Sequence, residues 1–177
     1  LDRLDSDGCM STNDTVVLMA NGASGISPSP EQFSELLEGV SRDLVMQLMQ
    51  DSEGSSKDIL ITVRNAASEE DALIAARAIS RSNLVKCAIH GEDPNWGRIL
   101  SALGTTSAAF SSEAVNVSIN GVMVCRSGSI GDDRSAVDMS GRAVQIDVFL
   151  ESGESSATVQ TNDLTAAYVH ENSAYST

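Results

Sequence analysis

The hydrophobic period of this chain changes near residue 110, and no other feature narrows its possible folds so far. Before that point apolar residues recur at helical spacing. Phe33, Leu36, Leu37, Val40, Leu44 and Leu48 mark one stripe, and Ala72, Leu73, Ala76 and Ile79 mark another. Beyond it they alternate: Val115-Asn116-Val117-Ser118-Ile119 runs into Asn120-Gly121, the preferred two-residue hairpin turn, and returns through Val122 to Val124. Val144 to Leu150 and Ala157 to Thr161 predict a second hairpin. Thr15 to Ala20 and Ile59 to Val63 are compact apolar runs standing among the helices, and both read as strands. Such interspersion predicts a mixed α/β fold, with helices packed on one or two mixed sheets.

Local signals punctuate this pattern. Ser29 is placed to cap the first helix with Pro30 at its first position, and Ser68 with Asp71 resembles a capping box for the second. Asp163 is the expected cap of a last helix running to about Glu171. The stretch Gly91-Glu92-Asp93-Pro94-Asn95-Trp96-Gly97-Arg98 holds the only tryptophan and one of the three prolines. It reads as a tight turn opening a helix, with Asp93 as N-cap and Pro94 at the first position. An indole beside Arg98 would also suit cation–π stacking.

The 177 residues, 41% hydrophobic and 20% charged, suffice for one substantial domain or one domain plus a small lobe. Eleven basic against twenty-five acidic residues give a net charge of −14, which disfavours nucleic acid or an anionic membrane as partner. No apolar run is long enough to cross a bilayer, and the opening residues do not resemble a signal peptide. Cys9, Cys87 and Cys125 lie far apart and fit a reducing cytoplasm. Cys87 and His90 have no second pair to complete a zinc site, and Asp5-Ser6-Asp7-Gly8 lacks the later ligands of a calcium loop, so no metal is expected. There is no Gly-rich phosphate loop, and two histidines, His90 and His170, leave a Ser-His-Asp triad few ways to form.

Three places remain for chemistry. Glu53-Gly54-x-x-Lys57 sets an acid and a base in a loop between helix and strand, where a surface salt bridge is the competing reading. Ser11-Thr12-Asn13-Asp14-Thr15 crowds polar groups before an apolar run, with turn capping as the alternative. The tail, with Asn172, Tyr175 and Thr177, matters only if it is pinned.

Taken in order, Ser11 to Thr15, Glu53-Gly54-x-x-Lys57, Gly91 to Arg98 and Glu171-Asn172-Ser173-Ala174-Tyr175 resemble the β chain of the ornithine acetyltransferase family, the bifunctional glutamate N-acetyltransferases of arginine biosynthesis. The resemblance covers nearly the whole chain. It implies the family's self-processing αββα-sandwich fold with a smaller α/β lobe. That lobe would span about 58–155, with 1–57 and 156–177 contributing to the main sandwich and the substrate site. It also implies a precursor that cuts itself before a threonine, whose new amine serves as base for its own hydroxyl. That nucleophile would carry acetyl from N-acetylornithine to glutamate, with acetyl-CoA as a donor in some members and no other cofactor. By the same resemblance Glu53 contacts the ornithine amine, and Asn172 and Thr177 close on the same ligand. The octapeptide serves as a structural signature. The resemblance sets the nucleophilic threonine upstream of Leu1 and the oxyanion-stabilising residues on an α chain. An α2β2 assembly in the cytoplasm is then expected, and this chain alone should be inactive. Two other readings stay open: a non-catalytic amino-acid-binding or assembly module, and a related self-processing amidohydrolase or aminopeptidase.

Overall fold

In a computed structural model, which describes residues 1–174, the change of period becomes a division between helices and one mixed sheet. The first half supplies α1 (Pro30–Gln50), β1 (Asp58–Ala66), α2 (Glu69–Ser80), α3 (Asn83–His90) and α4 (Trp96–Leu103). The second supplies β2 (Asn116–Ile119), β3 (Val122–Arg126), β4 (Ser129–Ile130), a 3-10 turn (Arg134–Ala136), β5 (Ala143–Phe149), β6 (Ser155–Asn162) and α5 (Ala166–Ser173). The fold class is mixed α/β, as expected. Ser68 caps α2 by accepting the Asp71 N–H at 3.0 Å. Asn120 and Gly121 turn the β2–β3 hairpin with φ of 46° and 84°, the pair of left-handed values that a twisted two-residue turn requires.

The six strands lie in the order β4-β3-β2-β5-β1-β6. Only β1 and β5 run parallel; the other neighbouring pairs are antiparallel. The expected hairpin between 144–150 and 157–161 does not form, because β1 is inserted between those strands. Alternation marks a strand but not its neighbour, and an apolar β1 gains most by having ladder partners on both edges. The chain leaving β5 crosses the end of β1 instead, with Leu150 N–H on Arg64 O at 3.0 Å and Ser152 N–H on Asn65 O at 2.8 Å. Gly153 makes this crossing possible: a Cβ there would come within 2.4 Å of Ala66 O. The sheet therefore continues past residue 155, through β6 to Asn162.

Register decides which face is covered. Ile59, Ile61 and Val63 of β1 stand beside Val144, Ile146 and Val148 of β5 and beside Thr161, Val159 and Ala157 of β6. α2 lies on this face through Ala72, Ala75, Ala76 and Ile79, all fully buried, and the small alanines let the helix approach closely. Ile89 of α3 with Ile99 and Leu103 of α4 extend the layer. The other face is polar: Thr62 and Thr158 hydroxyls meet at 3.0 Å, and Arg64 donates to Asp147 at 3.0 Å. At the β6 edge the first residues join the ladder, Asp5 N–H to Gln160 O and Gln160 N–H to Arg3 O, both at 2.8 Å. Ser6 and Asp7 are thereby carried to the end of β6.

Residues 10–50 behave differently. Thr15–Ala20 forms no strand, and Val16, Val17, Leu18 and Met19 are exposed. α1 has the expected cap, with Ser29 Oγ accepting Gln32 N–H and Gln32 Oε1 accepting Ser29 N–H. It does not pack on the sheet with its whole stripe, as expected: only Val45 and Met49 are buried, while Phe33, Leu36, Val40, Leu44 and Leu48 are exposed. The physical reason is the lack of a surface, since the described residues offer this stripe and the Thr15–Ala20 run nothing apolar to cover them. No helix among the described residues is long and apolar enough to cross a membrane.

Candidate functional site

The loop between α1 and β1 is tied down at nearly every residue. Gly54 has φ of 62°, and a Cβ there would lie 2.4 Å from Tyr168 N, so the backbone of α5 rests directly on the glycine. Thr165 Oγ1 donates to Gly54 O at 2.6 Å and accepts Tyr168 N–H at 2.9 Å. One hydroxyl thus caps α5 and joins it to the loop. The capping role expected of Asp163 therefore belongs to Thr165. Asp163 is taken by the loop: its buried carboxylate accepts the Ser56 and Lys57 N–H groups, each at 2.8 Å, together with the Ser56 hydroxyl. His90 Nδ1 lies 2.9 Å from Asp163 Oδ2 and 3.1 Å from Ser56 Oγ. Burial works to raise the Asp163 pKa, but the hydrogen bonds from Ser56, Lys57 and His90 outweigh it and hold the carboxyl below its usual range.

Lys57 does not pair with Glu53. Its ammonium turns inward, donating to Glu92 Oε1 at 2.7 Å, Met139 O at 2.5 Å and Gly141 O at 3.0 Å. Arg142 braces the loop from outside through Gln50 O at 3.1 Å, Ser55 Oγ at 2.9 Å and Asp58 Oδ2 at 2.9 Å. In the octapeptide, Asn95 and not Asp93 is the N-cap of α4, its Oδ1 accepting Arg98 N–H at 3.2 Å. α4 starts only at Trp96, so the residue whose side chain can reach its free N–H groups is Asn95, and Asp93 supports that cap by accepting Asn95 Nδ2–H at 2.9 Å. Arg98 donates to Leu84 O at 2.7 Å and so ties α4 to α3, while Trp96 packs against the core.

Beside this loop lies a cavity of about 430 Å³ whose walls include Asp7, Glu53, Lys86, Asn162, Asp163 and Tyr168. Glu53 is exposed, and among the described residues its carboxylate makes no hydrogen bond. Tyr168 OH donates to Asp7 Oδ2 at 2.9 Å. Burial, then the Asp7 carboxylate, push the phenol up to about 12. Lys86 is only 4% exposed and donates to Ser6 O at 2.5 Å and Thr161 Oγ1 at 2.8 Å. Burial pulls its pKa down to about 8 against the opposing field of Asp5, Asp7 and Asp163. Three carboxylates against one ammonium make the walls acidic and suit a ligand carrying a positive amine.

Of the site residues expected from sequence, Glu53 is at this cavity. Asn172 lies on α5, where its amide donates to Tyr168 O at 3.0 Å, and it is not among the described residues lining the cavity. Thr177 and Tyr175 lie outside the described residues. Ser11 to Thr15 is exposed and bonded locally, Asn13 N–H to Ser11 Oγ at 3.1 Å, which is the turn-capping alternative. Among the described residues no group of three or more His, Cys, Asp or Glu could hold a metal ion. Sequence reasoning missed Asp7, Lys86 and Tyr168. For Lys86 a signal was present, a single charge inside the apolar run Leu84 to Ile89.

A helix-covered mixed sheet bearing an acid-walled cavity beside a Glu-Gly-x-x-Lys loop is the architecture to which the comparisons give a family. The model of the ArgJ family matches residues 1–177, and the chain belongs to that family. It is 61% identical over 175 residues to the arginine biosynthesis bifunctional protein ArgJ of Streptomyces avermitilis, covering 99% of this chain and 46% of that protein. The protein of the same name from Thermobifida fusca is 60% identical over 176 residues, with the same two coverages, 99% and 46%. This chain thus spans about half the length of these curated relatives. The crystal structure of the arginine biosynthesis bifunctional protein argJ from Bacillus halodurans superposes with a TM-score of 0.91 at 32% identity, covering 98% of this chain and 86% of that chain.

Proposed function

We propose that this chain is the C-terminal part of the β chain of an ornithine acetyltransferase acting in arginine biosynthesis. The observation that carries this reading is the exposed Glu53 carboxylate, without a hydrogen bond among the described residues, at an acid-walled cavity in a chain of the ArgJ family. The nucleophilic threonine belongs to a segment outside these residues. Its hydroxyl attacks the acetyl carbonyl of N-acetylornithine, the ornithine amine leaves with the proton, and an acetyl-threonine ester remains. The amine of glutamate then attacks the ester and releases the threonine. Glu53 holds the ornithine side-chain ammonium, and Asn172 and Thr177 close on the same ligand from the tail. Acetyl-CoA serves as an alternative donor, and no metal or other cofactor takes part. The protein works in the cytoplasm.

The partner is the α chain of the same precursor, in an α2β2 assembly. Residues 10–50 belong with the main sandwich, and the six-stranded sheet, β6 included, belongs to a smaller lobe. The exposed run Val16 to Met19 and the exposed stripe of α1 support this, because an apolar segment and an apolar helix face left bare are surfaces for another part of the protein.

The test uses the complete protein, upstream segments included. Glu53→Ala should raise the KM for N-acetylornithine by roughly 10- to 100-fold, the worth of one hydrogen bond to a charged group. Unchanged KM and turnover would remove Glu53 from the site. Acetate released without a glutamate requirement would make the protein an amidohydrolase. Binding without turnover would make it a non-catalytic module.

A further inference from the structure

The octapeptide Gly91–Arg98 does not line the cavity, yet Glu92 within it and His90 just before it reach the loop that does. α3 ends at His90, and the chain reverses at Glu92, which adopts φ of 54°. That left-handed turn aims the Glu92 carboxylate at Lys57, whose three N–H donors are all used, on Glu92 Oε1, Met139 O and Gly141 O. His90 reaches the same loop from the other side, meeting Asp163, which holds the N–H groups of Ser56 and Lys57. Glu53 lies four residues before Lys57, and Gly54 between them is seated under the α5 backbone. The backbone position from which Glu53 projects at the cavity is therefore held by these anchors, and with it the volume its carboxylate can reach.

We propose that Glu92 and His90 are positioning residues for Glu53, holding the 53–57 loop through Lys57 and Asp163 so that the Glu53 carboxylate meets the substrate amine in one orientation. This rests on the role given to Glu53 above. An ion pair with a buried ammonium is a poor way to gain stability, since a well-packed apolar pair serves as well or better. A non-glycine residue in the left-handed region adds a further cost. What the arrangement supplies is direction, and a carboxylate that must meet an ammonium at hydrogen-bond distance depends on direction.

The experiment is a double-substitution cycle on the complete protein with Glu92→Gln, Glu53→Gln and the two combined. Glu92→Gln keeps the size and one oxygen for Lys57 while removing the charge. Expected is a three- to ten-fold rise in KM for N-acetylornithine, an unchanged KM for glutamate, which has no side-chain amine for Glu53 to hold, and no further rise in the Glu53→Gln background. A loop that was merely loosened would raise both KM values and add its effect to that of Glu53→Gln. Either of those results, or an unchanged KM for N-acetylornithine, overturns the proposal. If Glu92→Gln fails to fold, as judged by its unfolding temperature, His90→Ala at a side chain 44% exposed runs the same cycle through Asp163. Absence of acetyl transfer in the unsubstituted protein would instead sink the functional reading and this one with it. Normal transfer with a failed cycle sinks the positioning role alone.

Discussion

Residues 58–162 bury most of their apolar side chains while residues 10–44 expose theirs: Ile61 and Ile146 are 0% exposed, but Val16 and Met19 are 74% and 87% exposed. Both regions carry the same amphipathic code, a short apolar run followed by a capped helix with an apolar stripe. In the first the sheet and α2 answer each other within the chain. In the second the run and the stripe find no counterpart among the described residues. Periodicity tells a segment that it needs a partner surface, not whether that partner lies on the same piece of chain. The cavity sits at the seam between the two regions, with the loop that ends α1 on one side and the ends of β6 and α3 on the other. Its acidic wall comes from the segments that flank the body, Asp7 ahead of it, Glu53 in the loop that enters it and Asp163 just past β6.

The largest test of this contrast compares two leucine-sized deletions in this chain. Ile61→Ala should lower the unfolding free energy by about 2–5 kcal/mol, because it opens a cavity in a closed core. Leu36→Ala, at a residue 66% exposed, should change it by no more than about 0.5 kcal/mol. Urea midpoints of the two variants check this, and similar losses would break the comparison. In the complete protein the same Leu36→Ala should cost clearly more than it does here. If it does not, the stripe on α1 is not a covered surface.

A smaller effect is expected at the seam. Gly54→Ala forces a side chain into φ of 62° and into contact with the backbone of Ala167 and Tyr168. The strain costs about 1–3 kcal/mol, and it falls on the docking of α5 and not on the sheet. Amide exchange should therefore quicken in 166–173 while the amides of β1 and β5 keep their protection. Unchanged exchange in α5 would mean that the glycine contact does not seat the helix.

Much of the body was legible in the sequence, and the reasons are local. The Ser29 and Ser68 caps, the Asn120-Gly121 turn and the strand from Ile59 each depend on residues within one window. What escaped depends on residues far apart. β5 and β6 looked like a hairpin because alternation carries no information about a third strand placed between them. Asp163 and Thr165 are both sound N-caps two positions apart; Asp163 was claimed by the N–H groups of Ser56 and Lys57, over 100 residues away, which left the cap to Thr165. Glu53 was found through the motif that contains it. Asp7, Lys86 and Tyr168 share its cavity only because the first residues pair with β6 and α5 folds back over Gly54.

Lys86 gives the finest test, since it joins the body to the seam by bonding Ser6 O and Thr161 Oγ1. Its pKa is lowered by burial from 10.5 to about 8 in the folded chain. Between those values the unfolded chain holds the proton and the folded chain has shed it, so stability tied to this group rises with pH. Below about pH 8 both states are protonated and the gain is absent; above pH 10.5 it is complete. Tyr168 acts in the opposite sense, because a phenol held at about 12 against a usual 10 loses its contribution as pH climbs past 10. The window for reading Lys86 is thus pH 8 to 10. There the native chain should gain on a Lys86→Met variant, with a slope corresponding to at most about one proton. Parallel pH profiles for the two proteins would show that the Lys86 ammonium is as well solvated in the fold as outside it.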